Sequence, residues 1–364
     1  MFKSKPFSIF AKKSNMKKFI FGLVKVSLGL IALIVVVYFL GSKAPIPQVD
    51  TLAAAANSNL IVLEKEISDA EELQLNLRDD NEARIVWAND TLKKKTPFSV
   101  VYLHGFSASQ GEGAPMHKDF AKRYRCNLYL ARLYGHGLKE EEALLDWTPE
   151  KFIESAKRAI AIGEQLGEKV IVMGTSTGCT AALYLASGNP NIHALINYSP
   201  NIDVFNQDAW LLTRQWGLQM GRYVNGSDYH SWVPNEGTDN LVTYKYRLEA
   251  VVALKSLIDA TMTAEVFSKI TQPLFMGYWY KNEKIQDNVV SVNRMLEMYD
   301  QLGTPEAKKR KIAFDNATNH VLASPLWNEN FETVKKETFN FAEEILGLVP
   351  VEKKEEVLKL QAIE

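Results

Sequence analysis

Ser176 stands in the pentapeptide Gly174-Thr175-Ser176-Thr177-Gly178, between the apolar run "KVIVMG" (169–174) and the helix formers "TGCTAALYLAS". A G-x-S-x-G pattern in that setting makes a nucleophile, because a sharp strand-to-helix turn projects the serine hydroxyl from the end of a sheet. The flanking glycines have no Cβ to strike the strand and helix beside them. The N–H of the next residue, Thr177, points to where a tetrahedral oxyanion would form, with the positive helix N-terminus behind it. The rival reading is a tight turn that merely contains a serine, and the strand and helix around it weigh against that.

A serine hydroxyl needs a base. The histidines are His104, His117, His136, His193, His230 and His320. With an elbow on a doubly wound sheet the chain order is Ser, acid, His, so the base must follow a late acid. Only His320, in "DNATNHVLAS", comes after the apolar run at 273–280. The acid must lie just past that run, where "KNEKIQDNVVSV" offers Glu283 and Asp287. Asp287 is preferred, although its place before an apolar helix also suits a helix cap. Glu283, flanked by lysines, reads as solvated loop, and Asp315 falls too late in the order. A second oxyanion donor is expected in "LHGFSAS", where His104-Gly105 lets the Phe106 N–H turn toward the serine. His104 is expected to brace this loop.

These residues need a scaffold with a common edge. "ARIVWAN" (83–89) alternates like an antiparallel strand, while "FSVVYLHG" (98–105) and "CNLYLARL" (126–133) read as buried strands. Thr148 caps a helix with Pro149 at its first position and Phe152, Ala156, Ile160 and Leu166 on one face. "HALINYS" (193–199), "PLFMGYWY" (273–280) and "KKRKIAF" (308–314) supply later strands. A helix bearing Val292, Met295, Leu296, Tyr299 and Leu302 precedes the last strand, and one bearing Phe331, Val334, Thr338, Phe341 and Ile345 follows it. Strands alternating with helices predict an α/β architecture with a mostly parallel, doubly wound sheet. The interval from Tyr198 to Gln272, about seventy residues, exceeds an αβ loop of about 2–6 residues and holds Phe205, Trp210, Trp216, Tyr223, Trp232 and Tyr246. It reads as an inserted cap at about 201–270, with part of its aromatic content forming its own core.

The N-terminus carries six lysines and no acid over residues 1–18, then 22 residues from Phe19 to Leu40 with one charge, Lys25. That run is long enough to cross a bilayer, which takes about 20 apolar residues. Positive charge on its N-terminal side predicts a cytoplasmic segment 1–18, a membrane helix 19–40 and an extracytoplasmic remainder, periplasmic or extracellular. A cleaved signal peptide is disfavoured by the length of the run and by Pro45 directly after the small-residue site. Residues 41–60 read as a Pro-containing polar linker, 61–347 as the catalytic domain and 348–364 as a charged tail. A net charge of -1 gives no field for nucleic acid. Cys126 and Cys179 have no metal spacing and read as buried thiols, "GHG" (135–137) reads as a turn, and no cofactor is expected.

Taken together, His104-Gly-Phe, "RLYGHG" at 132–137, the Ser176 elbow, "DNVVSV" and "NH" at 319–320 resemble the α/β-hydrolase superfamily, near its monoacylglycerol-lipase and carboxylesterase branch. The resemblance covers about residues 80–347. It implies an α/β-hydrolase fold with a cap after the sixth core strand, and hydrolysis of a carboxylic ester through an acyl-enzyme. Ser176 would be the nucleophile, Asp287 the acid, His320 the base, and the Phe106 and Thr177 amides the oxyanion hole. Cys179, where a second glycine is common, and Thr175, where histidine is frequent, depart from the pattern outside the triad. The expected partners are a small ester with an apolar part and a membrane reached through the N-terminal helix. An acyltransferase with the same triad and a non-catalytic binding protein on this scaffold are the competing classes.

Overall fold

The computed structural model describes residues 9–352, with side chains from residue 16. Most of the charged tail at 348–364 and the first eight residues of the basic segment lie outside the described residues. Helix α1 (Ile9–Leu40) has 32 residues. Its Met16–Leu40 portion is long and apolar enough to cross a membrane by length and composition, and none of it is buried. After an extended stretch comes α2 (Leu60–Glu72), begun by Asn59, whose Oδ1 accepts from the Ile61 and Val62 amides. Leu63 and Ile67, one turn apart, place this helix on the core.

The sheet follows from short apolar runs. The strands are β1 (Arg84–Val86), β2 (Thr96–Leu103), β3 (Asn127–Leu130), β4 (Gly167–Thr175) and β5 (Ile192–Tyr198). Helices α3 (Met116–Tyr124), α4 (Pro149–Leu166) and α5 (Thr177–Ala186) connect them. Thr148 caps α4 by accepting from the Lys151 amide, with Pro149 at the first position. The insertion follows as α6 (Gly217–Asn225) and a small hairpin of β6 (Tyr229–Ser231) and β7 (Lys245–Arg247). Then come α7 (Leu248–Thr261), α8 (Ala264–Ser268), β8 (Leu274–Asn282), β9 (Ile285–Gln286), α9 (Val292–Gln301), β10 (Lys309–Phe314) and α10 (Phe331–Glu344).

The strand order is β1-β3-β2-β4-β5-β8-β10, with β9 folded back on β8. Only the β1–β3 and β8–β9 pairs of this sheet are antiparallel. The central strand β2 sits in register with β3 (Val101 opposite Tyr129) and β4 (Leu103 opposite Gly174). Its alternate residues enter different cores. Val101 and Leu103 join α4, α5, α7 and α9 on one face, whereas Val100 and Tyr102 join α3 and α10 on the other. All four are 0 % exposed, so each contributes about 1.5–3 kcal/mol of burial, whereas the half-buried β1 contributes less. Two covered faces explain why the sequence shows runs rather than alternation there.

Several details differ from the sequence reading. Residues 41–59 do not hang free as a linker. The Gln48 amide donates to Glu150, Ser256 Oγ to the Pro45 carbonyl and Tyr184 Oη to the Val49 carbonyl, and Asp50 pairs with Lys157 at 2.6 Å. The segment is a strap across α4, α5 and α7. Within the insertion, α7 buries Leu254, Leu257 and Ile258 in the main core, so the detached part ends near β7 rather than at 270. Several of the insertion's aromatics are at the surface, Phe205 46 % exposed, Trp210 50 % and Tyr223 88 %, whereas Tyr246 and, in α8, Phe267 lie in the core.

Candidate active site

β4 delivers Ser176 to the C-terminal edge of the sheet, between β2 and β5. The residue has φ 54 and ψ -117, a positive φ that a side chain adopts only under local constraint. The constraint is visible on both sides. The Ser176 N–H donates to the Tyr198 carbonyl at 2.9 Å, and its carbonyl accepts from Cys179, Thr180 and Asn201. A Cβ at residue 174 would stand 3.1 Å from the Cys179 nitrogen, and one at 178 would stand 2.0 Å from the Leu103 carbonyl oxygen. Close approach of backbone to backbone therefore demands glycine at 178 and crowds any side chain at 174. As the first residue of α5, Thr177 has an N–H without an intrahelical acceptor, which leaves it available at the turn. Its Oγ1 accepts from Asn201 Nδ2 at 3.2 Å.

His320 follows β10 on a loop tied to the same edge. Ser199 Oγ donates to the His320 carbonyl at 2.7 Å, one residue beyond the Tyr198 that holds the Ser176 amide. The imidazole Nδ1 lies 2.6 Å from Asp287 Oδ2, while Nε2 is buried without a partner among the described residues. Asp287 is 0 % exposed, and its Oδ1 accepts from the Val289 and Val290 amides at 2.9 and 3.1 Å. This turn fixes the carboxyl and leaves Oδ2 for the imidazole. The alternative role of Asp287 as a cap of the next helix is not taken, because Ser291 caps α9 by accepting from the Arg294 amide. Glu283 is exposed in the β8–β9 hairpin and accepts from Tyr280 Oη, away from His320. Asp315, at the end of β10, is exposed as well.

Electrostatics at the pair are unequal. Burial pushes the His320 imidazole down, but the Asp287 charge and hydrogen bond, followed by the Glu112 charge, outweigh it and leave its pKa raised. Its proton on Nδ1 points at the carboxylate, so in the neutral form Nε2 is the basic atom.

The loop after β2 carries Phe106. Its ring meets Trp147, His136 and Tyr246 edge-on at 5.1–5.6 Å, which anchors the residue between sheet and insertion. His104 Nε2 accepts from the Leu133 amide and Nδ1 lies 2.9 Å from the Gly105 carbonyl, so the ring is the neutral Nδ1–H tautomer. Burial and the neighbouring His136 hold its pKa well below the ordinary imidazole value. It braces the loop. His136, in the turn of Gly135 and Gly137, has its Nδ1 2.8 Å from the Tyr134 carbonyl and a pKa lowered by burial to about 4. Among the described residues no group of three His, Cys, Asp or Glu side chains could hold a metal ion.

The departures from the family pattern are buried. Thr175 Oγ1 lies 2.9 Å from Tyr102 Oη, and Cys179 Sγ lies 3.6 Å from the Tyr198 carbonyl with its thiol pKa pushed up by burial. Cys126 is buried too, and the two are not disulfide-linked. One residue escaped the sequence reading. Glu112 is 3 % exposed, accepts from the Gly105 amide, and lies near Tyr102, Ser176 and His320. It is the sole acid in "SVVYLHGFSASQGEGAPMH", a small, apolar and neutral stretch, and that isolation was the available signal.

The family model for the alpha/beta hydrolase family matches residues 100–326. The chain belongs to the α/β-hydrolase family. Among curated proteins it is similar to a thermostable monoacylglycerol lipase of Bacillus sp. (strain H-257), 28 % identical over 134 residues, which are 36 % of this chain and 52 % of that enzyme. The match thus spans about half the length of that relative. Among solved structures it is similar to one from a study of two metagenome-derived lipolytic enzymes, with TM-score 0.58 and 15 % identity over 73 % of this chain and 98 % of that one. A monoacylglycerol lipase from Paleococcus ferrophilus gives TM-score 0.51 and 16 % identity over 68 % of this chain and 97 % of that one. At these identities the structures speak for the fold alone.

Proposed function

We propose that the protein is a membrane-tethered serine hydrolase that cleaves a carboxylic ester with an apolar acyl or alkyl part through an acyl-enzyme on Ser176. The observation that carries this reading is the Asp287–His320 pair at 2.6 Å with Nε2 left without a partner among the described residues, on a loop bonded to the strand end that also holds Ser176. In the proposed reaction Nε2 takes the Ser176 proton, and the alkoxide attacks the ester carbonyl. The oxyanion is met by the Phe106 and Thr177 amides. The imidazolium, stabilised by Asp287, protonates the leaving alcohol, and water then repeats the sequence on the acyl-enzyme.

An anchor at 19–40 supports retention at a membrane with residues 1–18 cytoplasmic and the hydrolase domain outside. Trp216 of the insertion donates Nε1–H to the Val37 carbonyl of α1 at 3.0 Å, so the insertion stands at the end of the apolar helix. Its exposed Phe205, Trp210, Tyr223 and Val224 suit a surface that meets lipid, which favours an ester of lipid character. An acyltransferase is the second reading, favoured by the near-closure of the site, where Ser176 is 8 % exposed. Hydrolysis of p-nitrophenyl esters of increasing chain length, with and without an acceptor alcohol, tests both. A rise of kcat/KM with chain length and release of free acid are expected. Transfer exceeding hydrolysis in dilute alcohol would establish the second reading, and inertness toward every ester would end the first.

Asp287→Asn is expected to lower kcat by about 10³–10⁴-fold, because the amide holds the wrong tautomer and cannot stabilise the imidazolium. The pH profile has a defined sign. The base works neutral, and its pKa is raised, so kcat/KM climbs with pH through a midpoint above the ordinary imidazole value of about 6.5. A midpoint near or below that value, measured on wild type, would contradict the assigned pairing.

A further inference from the structure

Gly105 precedes the residue whose N–H is assigned to the oxyanion, and glycine has the freest torsions in the chain. Both of its polar groups are held by side chains. Its N–H donates to Glu112 Oε1, and its carbonyl lies 2.9 Å from His104 Nδ1 and also accepts from the Ala108 amide at 3.3 Å. Holding the N–H constrains φ, and holding the carbonyl constrains ψ. Because the 105–106 peptide is planar and trans, a carbonyl pinned toward His104 sends the Phe106 N–H the opposite way. Glu112 lies in a short helical turn, Gln110–Gly113, that is buried throughout. A Cβ built on Gly105 would stand 3.1 and 3.3 Å from the two Glu112 oxygens and 3.3 Å from Ser176 Cβ, so the carboxyl and the serine flank one point.

We propose that Glu112 is a positioning residue of this site, whose carboxyl holds the Gly105 amide so that the Phe106 N–H is aimed at the oxyanion and whose charge supports the protonated His320. The inference rests on the serine-hydrolase reading above. A carboxylate this deep is costly without partners, which is why an acid placed here calls for a role. From β2 comes Tyr102, whose Oη is 3.5 Å from Oε1 and whose hydroxyl is held neutral by burial. From α5 comes Cys179, a thiol likewise kept protonated, and from the loop after β10 comes His320, backed by Asp287. His117 of α3 touches Tyr102 at 4.8 Å between ring centroids and is neutral, its pKa lowered by burial to about 4. Among the described residues the imidazolium of His320 is therefore the cation whose charge acts on Glu112. Burial raises the Glu112 pKa to about 7, with the Gly105 amide, His320 and Tyr102 opposing that rise. Its charge state thus changes in the range where His320 works.

The test separates position from charge in the full chain held in detergent micelles. Glu112→Ala removes the acceptor of the Gly105 amide and is expected to lower kcat about 10²-fold with a KM change of under threefold, the signature of a displaced oxyanion donor. Glu112→Gln keeps an acceptor oxygen and removes the charge. It is expected to hold kcat within about tenfold of wild type and to move the acid limb of kcat/KM down by at least about 0.5 pH unit, since the imidazolium loses a neighbouring anion. A limb that coincides with wild type overturns the proposal. Should the Gln variant fail to fold, the His320 ring nitrogens of wild type decide, read by NMR. A broadened two-step titration is expected from coupling to Glu112, and a one-proton curve overturns it. Because the ring titration needs no turnover, failure of the hydrolase reading appears separately, as an inactive wild type that no fluorophosphonate labels.

Discussion

Ser176→Ala is expected to abolish fluorophosphonate labelling and to lower ester hydrolysis by about 10⁴–10⁶-fold, while leaving stability within about 0.5 kcal/mol of wild type. The two halves of this expectation have different origins. Catalysis would collapse because the hydroxyl at that turn is the proposed nucleophile, and the assigned His320 and oxyanion amides would have nothing to activate or stabilise without it. Stability survives because what holds residue 176 is its backbone. The N–H to Tyr198 and the carbonyl to Cys179, Thr180 and Asn201 are untouched by the change. Alanine at φ 54 also bears about the same strain as serine. Gel-based labelling, a progress curve and a thermal melt check the three parts. Labelling that persists in the variant would remove Ser176 from the mechanism altogether.

Gly178→Ala is expected to destabilise the fold by about 3 kcal/mol or more, with a fall in Tm of roughly 5–10 °C and a parallel loss of labelling. The added methyl would lie 2.0 Å from the Leu103 carbonyl oxygen, 2.6 Å from its carbon and 2.7 Å from the His104 oxygen. None of those atoms can swing aside. Leu103 ends β2, which is paired with β3 on one side and β4 on the other. Relief has to come from lifting α5 off the sheet, and that moves the turn bearing Ser176. Gly221→Ala is the matched control: its nearest atom, at 3.0 Å, is the tip of the Leu212 side chain, which can turn away. There the gain in helix propensity of about 1 kcal/mol offsets the crowding, and Tm should hardly move. Equal effects at the two positions would mean that backbone contact is not what demands glycine at 178.

The strands and helices that build the sheet edge were legible because their patterns are local. "KVIVMG" reads as a buried strand since both of its faces are covered, and Thr148-Pro149 marks a helix start by capping chemistry alone. Chain order was equally informative, because one histidine among six follows the late strand. Other features depended on partners far along the chain. Residues 41–59 look like a linker in composition, and only contacts with Glu150, Lys157, Tyr184 and Ser256 make them a strap. α7 looked like part of a detached cap because length alone cannot tell an inserted helix from a crossover helix. Its burial against the main core decides that.

By itself, then, the sequence determined that Ser176 sits at a strand-to-helix elbow on a doubly wound sheet and that an apolar span leads the chain, since periodicity, turn residues and segment length are written in neighbouring positions. Tertiary structure decided which acid meets His320, that Ser291 rather than Asp287 caps the following helix, and that Glu112 reaches the Gly105 amide. Those outcomes turn on where the segments that follow β2, β5, β8 and β10 converge, and a hydrogen bond across 33 residues leaves no trace in local pattern.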